Sequence, residues 1–177
     1  RATLTATGEP IEIGGIEKMS KSKRNTVDPD DIIGSYGADT ARWFVLSDSP
    51  PDREVEWSAA GVEGAWRFTQ RVWSLVEAHG HAAPKAGEAP PPGAESGEAI
   101  ALRRVAHRTA QAVTEGIEHF RFNTAVARCY ELVNAIAKLR DATDPALVWA
   151  RGEALRILVQ SIAPFTPHLA EEAWAGL

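Results

Sequence analysis

The sequence predicts a mainly α-helical protein: an antiparallel helical bundle with a small α/β segment at its amino-terminal end. Three observations carry that expectation. Beyond residue 58, apolar residues recur at i, i+3, i+4 and i+7 in several stretches. Those stretches open on helix start signals, Ser58, Asp144-Pro145 and Thr166-Pro167. Most connections between them are short, which favours neighbouring antiparallel helices.

The elements follow in order. Thr3 to Thr7 and Ile11 to Ile13 cluster β-formers around Gly8-Glu9-Pro10 and read as a hairpin. Asp28-Pro29 is an N-cap with proline at the first helical position. That helix runs to about Tyr36, with Gly37 as a left-handed stop. Asp39 is placed to cap the next helix, Thr40 to about Ser47, which Pro50-Pro51 ends. Glu54 to Trp57 alternates with period two and reads as a short strand. Ser58 then caps a long helix whose face is Val62, Ala65, Trp66, Thr69, Val72, Trp73 and Val76. Residues 80–97, rich in proline and glycine, read as a flexible or extended connection. Leu102, Val105, Ala106, Thr109, Val113 and Gly116 form the next stripe. Phe122, Val126, Cys129, Val133, Ile136 and Ala137 form another. Asp144-Pro145 opens a helix carrying Leu147, Ala154, Leu155, Leu158 and Ile162, interrupted by Pro164. Thr166-Pro167 opens the last, with Leu169, Ala170 and Trp174, running to Leu177. The expected division is 1–57 as a loop-bearing α/β segment and 58–177 as the bundle.

Composition narrows the class. Hydrophobic residues make up 44% of 177 and charged residues 24%, as in soluble globular proteins. No run of about 18 apolar residues or signal-type h-region is present, which fits a cytoplasmic protein. The lone cysteine, Cys129, has apolar neighbours and excludes an internal disulfide. The five histidines are too scattered to suggest a metal site. A start at Arg1 and a stop at Leu177 inside an expected helix read as a piece of a longer protein. The net charge of −5 argues against broad nonspecific nucleic-acid binding, though not against a local basic face.

One such face is Gly14 to Asn25, GGIEKMSKSKRN, where Lys18, Lys21, Lys23 and Arg24 crowd around Ser20 and Ser22. By composition alone this is a solvated surface loop or a basic patch. Its arrangement suits another use. Small serines and a Gly-Gly entry let backbone and ammonium groups approach an anion, and lysine is a compact charge suited to phosphate. Such a loop can close on a triphosphate as charge moves onto the leaving group.

Lys18-Met19-Ser20-Lys21-Ser22 spells KMSKS, and the chain resembles the class I aminoacyl-tRNA synthetases. EKMSKSK-N, then VDP, then YGADTAR (Tyr36 to Arg42) is similar to the branch for branched aliphatic amino acids and methionine. SPPDREVEWSAAGVEGAWRF (Ser49 to Phe68), FRFNTAVA (Phe120 to Ala127) and APFTPHLAEEAW (Ala163 to Trp174) resemble its leucine-specific members. The resemblance implies a monomer that activates leucine with ATP, with Mg2+, and transfers it to tRNA(Leu). It implies that Lys21 contacts the ATP phosphates and that Lys18 supports the loop's charge, with Ser20 and Ser22 bonding phosphate or holding the loop's shape. Met19 is a packing anchor in this reading, and Gly14-Gly15 a hinge. The other ATP motif of the class, His-Ile-Gly-His, is missing; His79-Gly80-His81 lacks its spacing. On these residues alone, catalysis needs parts outside them. The rivals are a methionine-, valine- or isoleucine-specific relative, which Ser49 to Phe68 disfavours, and a noncatalytic helical RNA-binding module.

The remaining candidates have plain alternatives. Asp39 and Arg42 read as a cap and a salt-bridge former, and His168 as structural. Trp57, Trp66 and Trp73 read as bundle packing, with base stacking as the alternative. Arg67 and Arg71, Arg104 and Arg108, and Arg121 and Arg128 pair at helical spacing and avoid the apolar stripes, so all six should be exposed. They are either solvated surface with local ion pairs or a tRNA-backbone surface. By the resemblance, that surface would contact mainly phosphates.

Overall fold

Lys18 to Asn25 and the helices beyond it are seen in a computed structural model that describes residues 2–11, 14–85, 87–95 and 97–177. Among these, the chain forms a two-stranded hairpin, β1 (Ala2–Thr3) with β2 (Pro10–Ile11), and seven α-helices. The helices are α1 (Pro29–Tyr36), α2 (Ala38–Asp48), α3 (Ala59–His79), α4 (Gly97–Glu118), α5 (Phe122–Lys138), α6 (Pro145–Ile162) and α7 (Pro167–Ala175). The chain divides into two compact units, Arg1–Asp31 and Ile32–Leu177.

In the first unit the strands are antiparallel, with Ala2 opposite Ile11 and Thr3 opposite Pro10. The hairpin is shorter than the β-former clusters suggest. Thr5 to Thr7 turn away, and Gly8 at φ 71 lets its N–H reach Leu4 O at 2.8 Å. Glu12 and Ile13, which complete the expected second strand, lie outside the described residues.

The second unit is all helical among its described residues. Its core gathers around Trp43 of α2, which is fully buried. The indole stacks on Phe68 of α3, centroids 4.1 Å apart and planes 9° apart. Phe165, between α6 and α7, meets it edge-on at 5.8 Å. The Trp43 Nε1–H donates to Tyr130 Oη of α5 at 3.2 Å. Four segments thus share one side chain. α4 packs on both α5 and α6, burying Leu102, Ala106, Val113, Val126, Cys129 and Leu155 between them. Burial pushes the Cys129 thiol up to about 12, so it is a core group, as its neighbours suggest.

The expected boundary at 57/58 and the packing boundary at 31/32 differ for a physical reason. α2 lies in the segment assigned to the amino-terminal piece, yet its Trp43 and Phe44 are buried against α3 and α5. Other expectations fail locally. Glu54 to Trp57 is not a strand, because an alternating stretch needs a ladder partner and none pairs with it among the described residues. Asp39 does not cap α2; Gly37 does, at φ 86 and ψ 155, which is not the left-handed helical stop expected of it. Trp66 is exposed, and Phe68, absent from the expected face, takes the inner position. α7 ends at Ala175 rather than continuing to Leu177.

The 80–97 connection is partly built in. Gly80–Ala82 forms a 3-10 turn, Pro84 is buried, and Ala94 is fully buried. The backbone here runs against Gly152 of α6 so closely that a Cβ there would lie 2.7 Å from Ala82 O and Ala83 Cα and 2.9 Å from Pro84 Cδ. Two effects oppose each other at this glycine. Helix propensity favours alanine by about 1 kcal/mol. Overpacking against backbone costs about 1–3 kcal/mol, and backbone cannot swing aside. The clash outweighs the propensity gain, so Gly152→Ala is expected to lower stability by up to about 2 kcal/mol in urea unfolding; an increase would show that the connection yields.

Candidate functional site

The basic loop is a self-closed turn. Ser20, extended at φ −152 and ψ 147, caps a 3-10 turn over Lys21–Lys23, its Oγ accepting from Lys23 N–H at 3.3 Å. Arg24 closes the turn in the left-handed region at φ 52, its N–H reaching Lys21 O at 3.2 Å. Asn25 staples the base: Oδ1 accepts from Ser20 N–H at 2.8 Å, and Nδ2 donates to Lys18 O at 3.4 Å. Ser20 Oγ and Ser22 Oγ lie 3.2 Å apart, and both serines are used within the turn.

The charges divide. Lys23 Nζ is tied to Glu17 Oε2 at 2.7 Å, an exposed pair worth little by itself but enough to compensate that charge. Lys18 and Lys21 are exposed and have no ion-pair partner among the described residues. Two uncompensated ammonium groups therefore stand free to meet a polyanion, one before the turn and one at its first position. A Cβ added at Gly14 or Gly15 would meet only open space, and neither residue is left-handed, so this conformation does not itself require glycine there.

Asp39 and Arg42 act at a distance. Asp39 Oδ2 accepts from Leu169 N–H at 2.6 Å and Oδ1 lies 2.9 Å from His168 Nδ1. Arg42 donates to Phe165 O at 3.1 Å and Pro164 O at 2.9 Å. Thr166, at the N-cap of α7, makes no side-chain cap bond because its hydroxyl donates back to Ile162 O at 3.2 Å. Asp39 supplies the missing acceptor from another helix. Arg42 binds carbonyls rather than the carboxylate expected of a salt-bridge former. These residues join YGADTAR to APFTPHL and hold the core turn around Phe165.

All six arginines singled out by spacing are exposed. Arg67 pairs with Glu63 at 2.8 Å, Arg128 with Glu131 at 2.7 Å, and Arg71 donates to Asn134 Oδ1 at 2.7 Å. Arg104, Arg108 and Arg121 have no ion-pair partner among the described residues. Sequence reasoning missed Arg151, whose Nη1 donates to Leu139 O at 2.9 Å and Arg140 O at 2.7 Å, closing the end of α5. A signal existed: Arg151 sits four residues from both Leu147 and Leu155, inside the apolar stripe. Among the described residues no three acidic, histidine or cysteine side chains converge. No helix among them is long and apolar enough to cross a membrane.

These features match known families. A family model described as tRNA synthetases class I (I, L, M and V) matches residues 13–58. A second, the anticodon-binding domain of tRNA ligase, matches residues 100–177. The chain is thus similar to the class I tRNA synthetases at residues 13–58. Within that class it is similar along nearly its whole length to leucine–tRNA ligases: 55% identical to that of Parvibaculum lavamentivorans over 99% of this chain and 20% of the relative. It is 57% identical to that of Rhodopseudomonas palustris, over 99% of this chain and 21% of the relative. A crystal structure of the Agrobacterium radiobacter K84 LeuRS–tRNA–LeuAMS ternary complex aligns with a TM-score of 0.77 at 28% identity, over 90% of this chain and 20% of that one. The chain spans about one fifth of the length of these relatives.

Proposed function

We propose that this chain supplies the phosphate-binding loop and a tRNA-contacting helical domain to a leucine–tRNA ligase. The observation that carries the reading is the KMSKS turn, which leaves Lys18 and Lys21 exposed and uncompensated in a sequence similar throughout to leucine–tRNA ligases. In the full-length protein, leucine's carboxylate attacks the α-phosphorus of ATP, the bond to the β-phosphate breaks, and pyrophosphate leaves. Lys21 meets the oxygens that gain charge, and Lys18 adds to the local field. Charge stabilised more in the transition state than in bound ATP lowers the barrier. Ser20 and Ser22 hold the turn's shape, and the Gly14-Gly15 entry lets it close. The aminoacyl group then passes to the terminal adenosine of tRNA(Leu).

In this reading residues 1–57 are the loop-bearing α/β segment and 58–177 the tRNA-binding domain of a cytoplasmic monomer. Leucine, ATP and tRNA(Leu) are the substrates, and Mg2+ accompanies ATP in the full-length protein. The similarity to leucine-specific relatives disfavours the methionine-, valine- or isoleucine-specific alternative, and the class I match disfavours a noncatalytic module. Arg104, Arg108 and Arg121 carry the most available charge toward tRNA phosphates; Arg67, Arg71 and Arg128 must first leave their present partners. Full-length protein with leucine, ATP and leucine-accepting tRNA should accumulate leucyl-tRNA; no product contradicts the reading. Its tRNA affinity should fall steeply and log-linearly with salt, and Arg104→Ala should reduce the slope by about 1. A salt-independent affinity counts against phosphate contacts.

A further inference from the structure

α4 stops in a manner that its own sequence makes costly. Arg121 N–H donates to Gly116 O at 2.6 Å and Phe120 N–H to Ile117 O at 3.3 Å. That pair of bonds is the Schellman termination, whose left-handed position usually holds glycine. Here it holds Phe120, at φ 56. A bulky side chain is strained there and glycine is not. Burial does not offset the strain, because Phe120 is 66% exposed. An edge contact with Phe122, centroids 5.7 Å apart, is the ring's one aromatic neighbour among the described residues.

The ring lines a cleft of about 550 Å³ between the 50–53 loop and the 119–124 turn. Pro50, Pro51 and Arg53 come from the loop, and Arg121 and Asn123 flank the ring. Neither arginine has an ion-pair partner among the described residues, and Asp52 is the single acid of the lining. The cleft is thus locally positive on an acidic chain, with a flat apolar face offered to solvent. Its volume falls in the range of small-ligand sites, roughly 300–1,000 Å³.

We propose that this cleft binds one unpaired nucleotide of an RNA partner, its base on the Phe120 ring and its phosphates on Arg53 and Arg121. Any base has a face that stacks on an aromatic ring, and guanidinium groups hold the backbone beside it. The Asn123 amide can donate to and accept from a base edge. The proposal rests on the tRNA-binding reading above and adds to it a site, a ligand class and a reason for a phenylalanine at a glycine position.

The test uses the full-length protein and a leucine-accepting tRNA transcript. Phe120→Gly relieves the backbone, so its Tm should equal or exceed that of the unsubstituted protein. Its tRNA affinity should nonetheless fall about 10-fold or more, the worth of one stacked base, with the salt slope unchanged. Phe120→Tyr should retain affinity, Phe120→Leu should lose it, and Arg121→Ala should reduce the slope by about 1. Chemical probing should reveal one unpaired nucleotide protected by the unsubstituted protein and exposed with Phe120→Gly. Unchanged affinity and footprint in Phe120→Gly and Phe120→Leu overturn the proposal while leaving the wider reading intact. No tRNA binding by the unsubstituted protein overturns the wider reading itself.

Discussion

Lys21→Ala in the full-length protein should slow leucine-dependent pyrophosphate exchange about 10²–10³-fold, as removal of one preorganised charge contact typically does. Leucine's apparent affinity should change little, since in the proposed reading that contact forms as charge moves onto pyrophosphate. The structure makes this a clean experiment. Lys21 is exposed and unpaired among the described residues, and the turn is held instead by Ser20, Asn25 and backbone bonds. Its removal should therefore leave the fold alone. Lys23→Ala is the matched control: its charge is already compensated by Glu17 at 2.7 Å, and its effect should be under about 10-fold. Equal effects from the two would assign the loop's role to bulk positive charge rather than to position. An unchanged exchange rate in Lys21→Ala would remove Lys21 from the reaction.

Trp43→Ala should be the most destabilising substitution of those considered, at about 3–5 kcal/mol. The indole is fully buried, stacks on Phe68, meets Phe165 edge-on and donates to Tyr130 Oη. Truncation leaves a cavity where four segments meet, and only partial collapse is available because Phe165 is also fixed through Arg42. Trp43→Phe keeps the stacking and loses the hydrogen bond, so it should cost less, about 1–2 kcal/mol. Denaturant unfolding of the two variants checks both figures. Equal, small losses would mean that the core is not organised around this residue.

Local physics makes much of the fold legible, and tertiary physics hides the rest. Ser58 and Asp144 cap helices as their sequence context predicts, because a cap needs only its own next three residues: Ser58 Oγ accepts from Gly61 N–H at 3.2 Å and Asp144 Oδ1 from Ala146 N–H at 2.9 Å. Asp39 departs from its expected cap for the opposite reason. Its acceptor capacity serves Leu169, 130 residues away, and nothing adjacent to it signals that. The α3 stripe is right in period and wrong at its edge, since Trp66 and Phe68 both lie near the boundary and a planar stack with Trp43 selects Phe68. The connection at 80–97 has a disordered composition, but Gly152, a glycine inside a helix with no room for a Cβ, marks where its backbone packs. The loop's motif is legible because KMSKS is contiguous. Which lysines are free is not, because that depends on Glu17 folding back onto Lys23.

The measurement that tests the central claim most directly is amino-acid-dependent ATP–pyrophosphate exchange by the full-length protein, with leucine, isoleucine, valine and methionine each supplied alone. The account predicts exchange that is driven by leucine and at least about 10-fold less efficient with the others, the lower end of what a hydrophobic pocket provides against a misfit aliphatic side chain. Exchange driven best by isoleucine, valine or methionine, or no exchange with leucine, would contradict it.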